Sequence, residues 1–270
     1  MPQQSPDYLL LSSTRYDPFL EKFTWNYDDE GPSPFFLLRY HFDRLNAAID
    51  AHDWPNARSS HSYSNLKAAC VRAVTEENSK EHTSGAYYVR ITLSRNGQIA
   101  LPLFTAPSDP TSSLVDNPPA LSVFLDKQST ATSIFTETKT TFRQVYEQAK
   151  ERNKDVLGSA STSSDILLYN LHEQLLETTI SNVAFYRSGK WLTPKTTSGC
   201  LLGVIRRWLL EHERIHEDTE GILTKADVRE GELVLLFNGP TAQHLKQCVP
   251  CGTIYRHKVN GGKKMSIPCV

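Results

Sequence analysis

Residues 138–143 read Thr-Lys-Thr-Thr-Phe-Arg, with one lysine, Lys139, set between a polar connection and a helical stretch. Upstream, Asp126 to Ser133 is polar and reads as a crossover between two structural units, and Ala120 to Leu125 reads as a short strand. Downstream, residues 140–153 carry helical spacing, which places Arg143 one turn (i, i+4) from Lys139. A buried strand follows at Asp165 to Tyr169 (Asp-Ile-Leu-Leu-Tyr). Further strands are expected around Asn182 to Tyr186, Trp191 to Thr193 and Glu232 to Phe237, with a helix over about 202–213.

The first third reads as an α/β unit. Tyr8 to Tyr16 has the apolar content of a strand, and Phe35 to Leu38 (Phe-Phe-Leu-Leu) predicts a second short buried strand. Leu38 to Asp53 and 64–77 have helical spacing. Tyr87 to Ser94 alternates like a strand, Arg95-Asn96-Gly97 turns the chain, and Gln98 to Phe104 returns beside it. Thr105 to Pro119, with four prolines, reads as an irregular connection.

Four features stand in a fixed order. Tyr40-His41-Phe42-Asp43-Arg44-Leu45 opens a helix, and Lys139 follows the connection. Then come Glu177, in Leu-Glu-Thr-Thr-Ile-Ser-Asn over 176–182, and Gly199-Cys200-Leu201-Leu202-Gly203-Val204-Ile205-Arg206 at a helix start. Singly, each has an ordinary explanation: a surface lysine, a solvated glutamate, a glycine turn. Their order over residues 8 to 245 resembles the class IV aminotransferase family, the fold type IV pyridoxal-phosphate enzymes. That resemblance implies an α/β (α+β), two-domain fold like that of D-amino-acid aminotransferase. It implies a small α/β N-terminal domain (1–125), a linker (126–133) and a larger C-terminal domain (134–270), with the cofactor between the two domains. It also implies a homodimer.

The resemblance assigns roles that elementary chemistry supports. Lys139 would carry pyridoxal 5′-phosphate as a Schiff base, which needs an amine held neutral enough to react. Glu177 would face the ring nitrogen and keep it protonated; Asn182 reads as structural. Gly203, Val204 and Ile205 would present backbone N–H groups to the phosphate at a helix N-terminus, and Arg44 would add a charged contact. Asn238 and Gly239 sit where family members place a further polar loop, while Arg206 reads equally well as a ligand or a surface charge.

Substrate-facing candidates are Arg15, beside Ser13 and Thr14, and Arg90 on the hairpin strand. Tyr88-Val89-Arg90-Ile91-Thr92-Leu93-Ser94-Arg95 resembles the strand that meets a carboxylate in the 4-amino-4-deoxychorismate lyase branch. Leu38-Arg39-Tyr40-His41 resembles fungal sequences of that branch. The implied reaction releases pyruvate and 4-aminobenzoate, with Lys139 moving the proton and Thr14 (or Ser13) protonating the leaving group. A transaminase acting on D-amino acids, branched-chain amino acids or (R)-amines, and a non-catalytic cofactor-binding relative, are the alternatives.

Composition excludes other classes. Lys plus Arg number 29 against 30 Asp plus Glu, so nothing in the overall charge would capture nucleic acid or an anionic membrane. No stretch nears the roughly 20 apolar residues of a membrane span, and Met1 to Asp7 lacks a secretory layout, so a cytoplasmic protein with a small-molecule substrate is expected. Five scattered cysteines suit a reducing compartment. Cys248-Val-Pro-Cys251 lacks a second ligand pair and is read as two thiols, not a metal site.

Overall fold

The computed structural model describes residues 7–81, 85–106, 122–159, 164–230, 232 and 234–239. The described residues fall into two compact units: those within Met1–Ser108 together with Thr138–Phe142, and those within Asp109–Glu137 and Arg143–Val270. The expected partition at 126–133 differs from this in two places. The strand and connection before Lys139 belong to the second unit, and the Lys139 segment itself belongs to the first.

In the first unit, β1 (Leu10–Tyr16) pairs antiparallel with β2 (Ala86–Leu93) from Leu10↔Leu93 to Tyr16↔Tyr87. On the other edge of β2, the returning chain is two short strands, β3 (Ile99–Ala100) and β4 (Leu103–Ala106). The expected single strand is interrupted at Pro102, which has no N–H to give to a ladder. Gly97 turns the hairpin with φ of 85°, as the Asn-Gly signal predicts.

Helix α1 (Leu38–Ala51) buries Leu38, Phe42, Leu45 and Ile49, the i, i+4, i+7, i+11 stripe that one helix face requires. Asp53, with φ of 52°, and Pro55 end that path and start α2 (Pro55–Ser60); α3 (Tyr63–Glu81) follows. Leu10, Tyr87, Val89 and Ile91 pack with α1 and α3 in one core. Ser12 and Thr14 therefore share the helix-facing side of the sheet, and Leu11, Ser13, Arg15, Tyr88 and Arg90 share the opposite side.

The strand expected at Phe35 to Leu38 does not form. Phe35 makes a lone bridge to Tyr16, and the next residues turn sharply into α1. Leu37 sits at φ of 47° and ψ of 41°, a left-handed conformation that costs a leucine roughly 1–3 kcal/mol. Asn26 holds it there. Its Oδ1 accepts from Leu37 N at 2.8 Å, and its Nδ2 donates to the carbonyls of Ser33 and Phe35. The run is apolar because all four side chains are buried, not because it extends.

The second unit has two further sheets. In one, β5 (Ser122–Leu125) lies parallel to β6 (Ser164–Tyr169), which pairs antiparallel with β7 (Leu175–Thr178). The other orders β10 (His216–Glu217), β9 (Lys190–Thr193), β8 (Asn182–Arg187) and β11 (Val234–Phe237). Strand β6 is buried on both sides: Ile166 and Leu168 pack with α5 (Gln144–Arg152), and Leu167 and Tyr169 pack with β8 and β11. Hence its uninterrupted apolar sequence. Short α4 (Ile134–Glu137) and α6 (Lys154–Ser159) complete the connections, and α7 (Val204–Glu211) follows Gly203. No described helix is long and apolar enough to cross a membrane. Most of the Pro-rich 105–119 stretch and the 248–251 cysteines lie outside the described residues.

Asn26→Ala removes a buried side chain that completes three backbone groups. Chemical denaturation should show a loss of about 2–4 kcal/mol, against less than about 0.5 for a surface control such as Lys80→Ala.

Candidate active site

Lys139 is placed by backbone pairing. Leu11 N donates to Lys139 O at 2.8 Å, Thr141 N donates to Leu9 O at 2.9 Å, and Leu10 bridges Thr140. This antiparallel register sets Lys139 opposite Leu11, on the same side of the sheet as Ser13, Arg15 and Arg90. His52, at the end of α1, adds a side-chain tie to Thr138 Oγ1 at 2.8 Å. No helix runs through 139–143. Arg143 instead caps α5, where its guanidinium donates to Thr179 O at 2.6 Å, so the expected i, i+4 relation is corrected.

Arg44 projects from α1 beside β1. Its Nη2 donates to Ser12 Oγ, and Ser12 Oγ lies 2.7 Å from His41 Nδ1. Arg44 donates to the serine oxygen, and the same hydroxyl is bonded to Nδ1 of His41. Burial, aided by the charges of Arg44 and Lys139, holds His41 well below its ordinary value. Burial also pulls the Arg44 guanidinium down to about 10. Nε of Arg44 and Nε2 of His41 are buried without a hydrogen-bond partner, and among the described residues no carboxylate neutralises Arg44. A half-buried cation whose Nε is enclosed and whose described partner is one hydroxyl suits an anionic ligand.

Glu177 is the corresponding feature of the second unit. It is 3% exposed at the end of β7. Tyr146 donates to its Oε1 at 2.6 Å; Asn182 Nδ2 and Leu201 N each donate to Oε2 at 3.2 Å. This glutamate is no solvated cap. Asn182 also donates to Leu201 O at 2.8 Å and fills the space over Gly203, where a β-carbon would lie 1.9 Å from Asn182 Oδ1. Only glycine fits that close approach. Because α7 begins at Val204, the N–H groups of Val204, Ile205 and Arg206 have no acceptor inside the helix. Their location at a helix N-terminus suits an anion.

The remaining candidates fare differently. Thr14 is fully buried and donates to Phe36 O at 2.7 Å, so its hydroxyl fixes the chain and does not face a ligand. Ser13, half-buried on the opposite side of β1, is the hydroxyl that shares a side with Lys139. Arg15 is buried against Asp17, with 3.0 Å between Nη2 and Oδ2. Arg90 is exposed and has no carboxylate partner among the described residues. Asn238 donates to Ser181 Oγ at 2.9 Å, which ties the loop after β11, including Gly239, to the turn after Glu177. Arg206 is neither a surface charge nor open to a ligand: it donates to Pro194 O and Glu217, both at 2.7 Å. No cluster of metal ligands occurs among the described residues.

Sequence reasoning missed Ser12 and Tyr146, and gave His41 no role beyond its place in the helix motif. Ser12 was detectable by parity, being a hydroxyl at an inward position of a strand. Nothing local singled out Tyr146.

The chain matches the model of amino-transferase class IV over residues 21–242, and it belongs to that family. It is 34% identical over 217 residues to a Schizosaccharomyces pombe protein provisionally named an aminodeoxychorismate lyase, covering 78% of this chain and 82% of that one. It is 27% identical to the aminodeoxychorismate lyase of Saccharomyces cerevisiae, covering 76% of this chain and 65% of the relative. Among solved structures, a provisionally named 4-amino-4-deoxychorismate lyase of Legionella pneumophila superimposes with a TM-score of 0.63 at 15% identity, over 94% of this chain and 86% of that one. The fold is that of the fold type IV enzymes.

Gly203→Ala should displace Asn182 and destabilise the protein by about 1–3 kcal/mol. In a double-mutant cycle, Asn182→Ala should relieve much of that loss; strict additivity would disprove the contact. Protonation gives a second test. Unfolded His41 takes a proton near pH 6.5 while the folded residue resists it, so the histidine contributes stability above pH 6.5 that is lost as pH falls. Denaturation at pH 6.5 to 5 should show a slope smaller in His41→Gln than in the wild type, by up to about 1.4 kcal/mol per pH unit.

Proposed function

We propose that the protein is a pyridoxal-phosphate lyase that converts 4-amino-4-deoxychorismate to 4-aminobenzoate and pyruvate, working as a homodimer in the cytoplasm. The observation that carries the reading is the register of Lys139. A lysine pinned to β1 by its own backbone shares a side of the sheet with Ser13, Arg15 and exposed Arg90. The fungal relatives named as lyases, matched over most of this chain, support the choice of substrate.

The residues present fit the cofactor. Arg44 is a half-buried cation with no carboxylate partner among the described residues, the start of α7 offers N–H groups over a glycine that admits no side chain, and Glu177 is a buried carboxylate. Arg44 with Val204 and Ile205 would hold the phosphate, Lys139 would anchor the group, and Glu177 would hold the proton on its ring nitrogen. Pyridoxal phosphate, when bound, supplies an electron sink for charge left on the amine-bearing carbon.

The chain's own residues do the rest. The Lys139 amine takes the proton from that carbon and is held in place by the 139–141 pairing. Arg90, on the exposed part of β2, meets a substrate carboxylate, where a bidentate guanidinium is favoured over a point charge. Arg15 is stationed by Asp17 and contributes a second, partly neutralised cation. Ser13 gives a proton to the departing enolpyruvyl oxygen, because Thr14 is committed to Phe36.

Purified protein loaded with pyridoxal phosphate should release pyruvate from aminodeoxychorismate with no keto-acid acceptor present. Lys139→Ala should abolish that release, and Arg90→Gln should raise KM about tenfold, the effect of losing one charged contact worth about 1.4 kcal/mol. Turnover of D-alanine or (R)-phenylethylamine with an acceptor, and none of aminodeoxychorismate, would replace this reading with a transaminase.

A further inference from the structure

We infer that Tyr146 is a positioning residue for the cofactor's ring nitrogen, acting through Glu177, with Arg143 stacked upon it to strengthen the phenol as a donor. The inference rests on the reading that Glu177 meets that nitrogen.

Tyr146 lies on α5, 6% exposed, in the core cluster with Ile166, Leu168, Leu176 and Cys200. Its hydroxyl makes the shortest of the three bonds described on Glu177, 2.6 Å against 3.2 Å for Asn182 and for Leu201 N. Tyr146 bonds Oε1 while Asn182 and Leu201 bond Oε2, so its hydroxyl bears directly on the rotation of the carboxylate about its last bond. Bonds from an O–H to an ionised oxygen are short and strong for their kind. The guanidinium of Arg143 sits 4.7 Å over the Tyr146 ring and is itself held by Thr179 O and by Glu147. A cation over the ring draws electron density from the phenol and makes its proton a better donor. Besides Glu177, the ionisable groups acting on Tyr146 are Arg143 and the Cys200 thiol, which burial pushes up to about 11 and keeps neutral. Burial and the Glu177 charge hold the Tyr146 proton on its oxygen well above the usual phenol range. The proton stays with tyrosine, and Glu177 stays the acceptor.

A residue that merely filled the core would act through its ring, which phenylalanine preserves. A residue that positions Glu177 acts through the hydroxyl. In the cofactor-loaded protein, Tyr146→Phe should change the ratio of the cofactor's absorbance bands near neutral pH and the pH at which they interconvert. It should also lower kcat about tenfold with KM little changed. A fluorinated tyrosine placed at 146, a stronger donor of nearly the same size, should move the band ratio the opposite way. In a Glu177→Gln background, Tyr146→Phe should have no further spectral effect. If Glu177→Gln alters the spectrum while neither change at 146 does, Tyr146 has no positioning role and the inference falls. If Glu177→Gln binds cofactor with an unaltered spectrum, the reading of Glu177 itself fails.

Discussion

An edge strand leaves a row of backbone N–H and C=O groups without partners, and the way β1 meets that requirement governs the first unit. Strand β2 pairs with one side of β1. On the other side, Lys139 and Thr141 pair with Leu9 and Leu11 at one end, and Pro34 and Phe36 pair with Arg15 and Asp17 at the other. Two segments separated by about a hundred residues of chain are thus drawn to one strand by the same need. Lys139 comes to rest beside β1 because its peptide groups complete a ladder. A backbone ladder is more rigid than any single side-chain contact, and a residue that must move a proton benefits from that rigidity.

Strand alternation then separates two tasks. The helix-facing side of β1 carries Ser12, which links Arg44 to a neutral His41, and Thr14, which secures the turn into α1. The opposite side carries Ser13 and Arg15, across from Arg90 and Tyr88. On the proposed reading, one strand serves an anion-holding group on one face and substrate-facing groups on the other. A slip of one residue in its register would exchange the two sets, so the long, regular pairing with β2 protects the site as well as the core.

How much of this the sequence discloses depends on the range of the interaction responsible. Helices α1, α3, α5 and α7 were legible because their apolar residues repeat locally, as were β1, β2, β6, β8 and β11. The Phe35–Leu38 run was misread because its shape depends on Asn26, whose amide fixes a left-handed Leu37 eleven residues away. The division of the chain was misplaced around Lys139 because backbone pairing between residues 9–11 and 139–141 leaves no periodic trace. Arg44, Lys139, Glu177 and Gly203 were legible only as an ordered set. Thr14 was chosen over Ser13 because the two are adjacent and chemically alike, and only the direction of the side chain distinguishes them.

Glu177 and Arg44 share a physical character that no single-residue reading exposes. Glu177 is buried and Arg44 half-buried with its Nε enclosed, and the partners described for them include a phenol, an amide and a backbone N–H for the carboxylate and a serine hydroxyl for the guanidinium. A dipole stabilises a buried charge less than an opposite ion does. For Arg44, which has no carboxylate partner among the described residues, the charge stays able to act on an anion. A guanidinium already neutralised by an aspartate, as Arg15 is by Asp17, would gain little from a phosphate. On the proposed reading, the stability forgone at Arg44 is what lets it take a phosphate, and the Ser12 hydroxyl keeps that loss small.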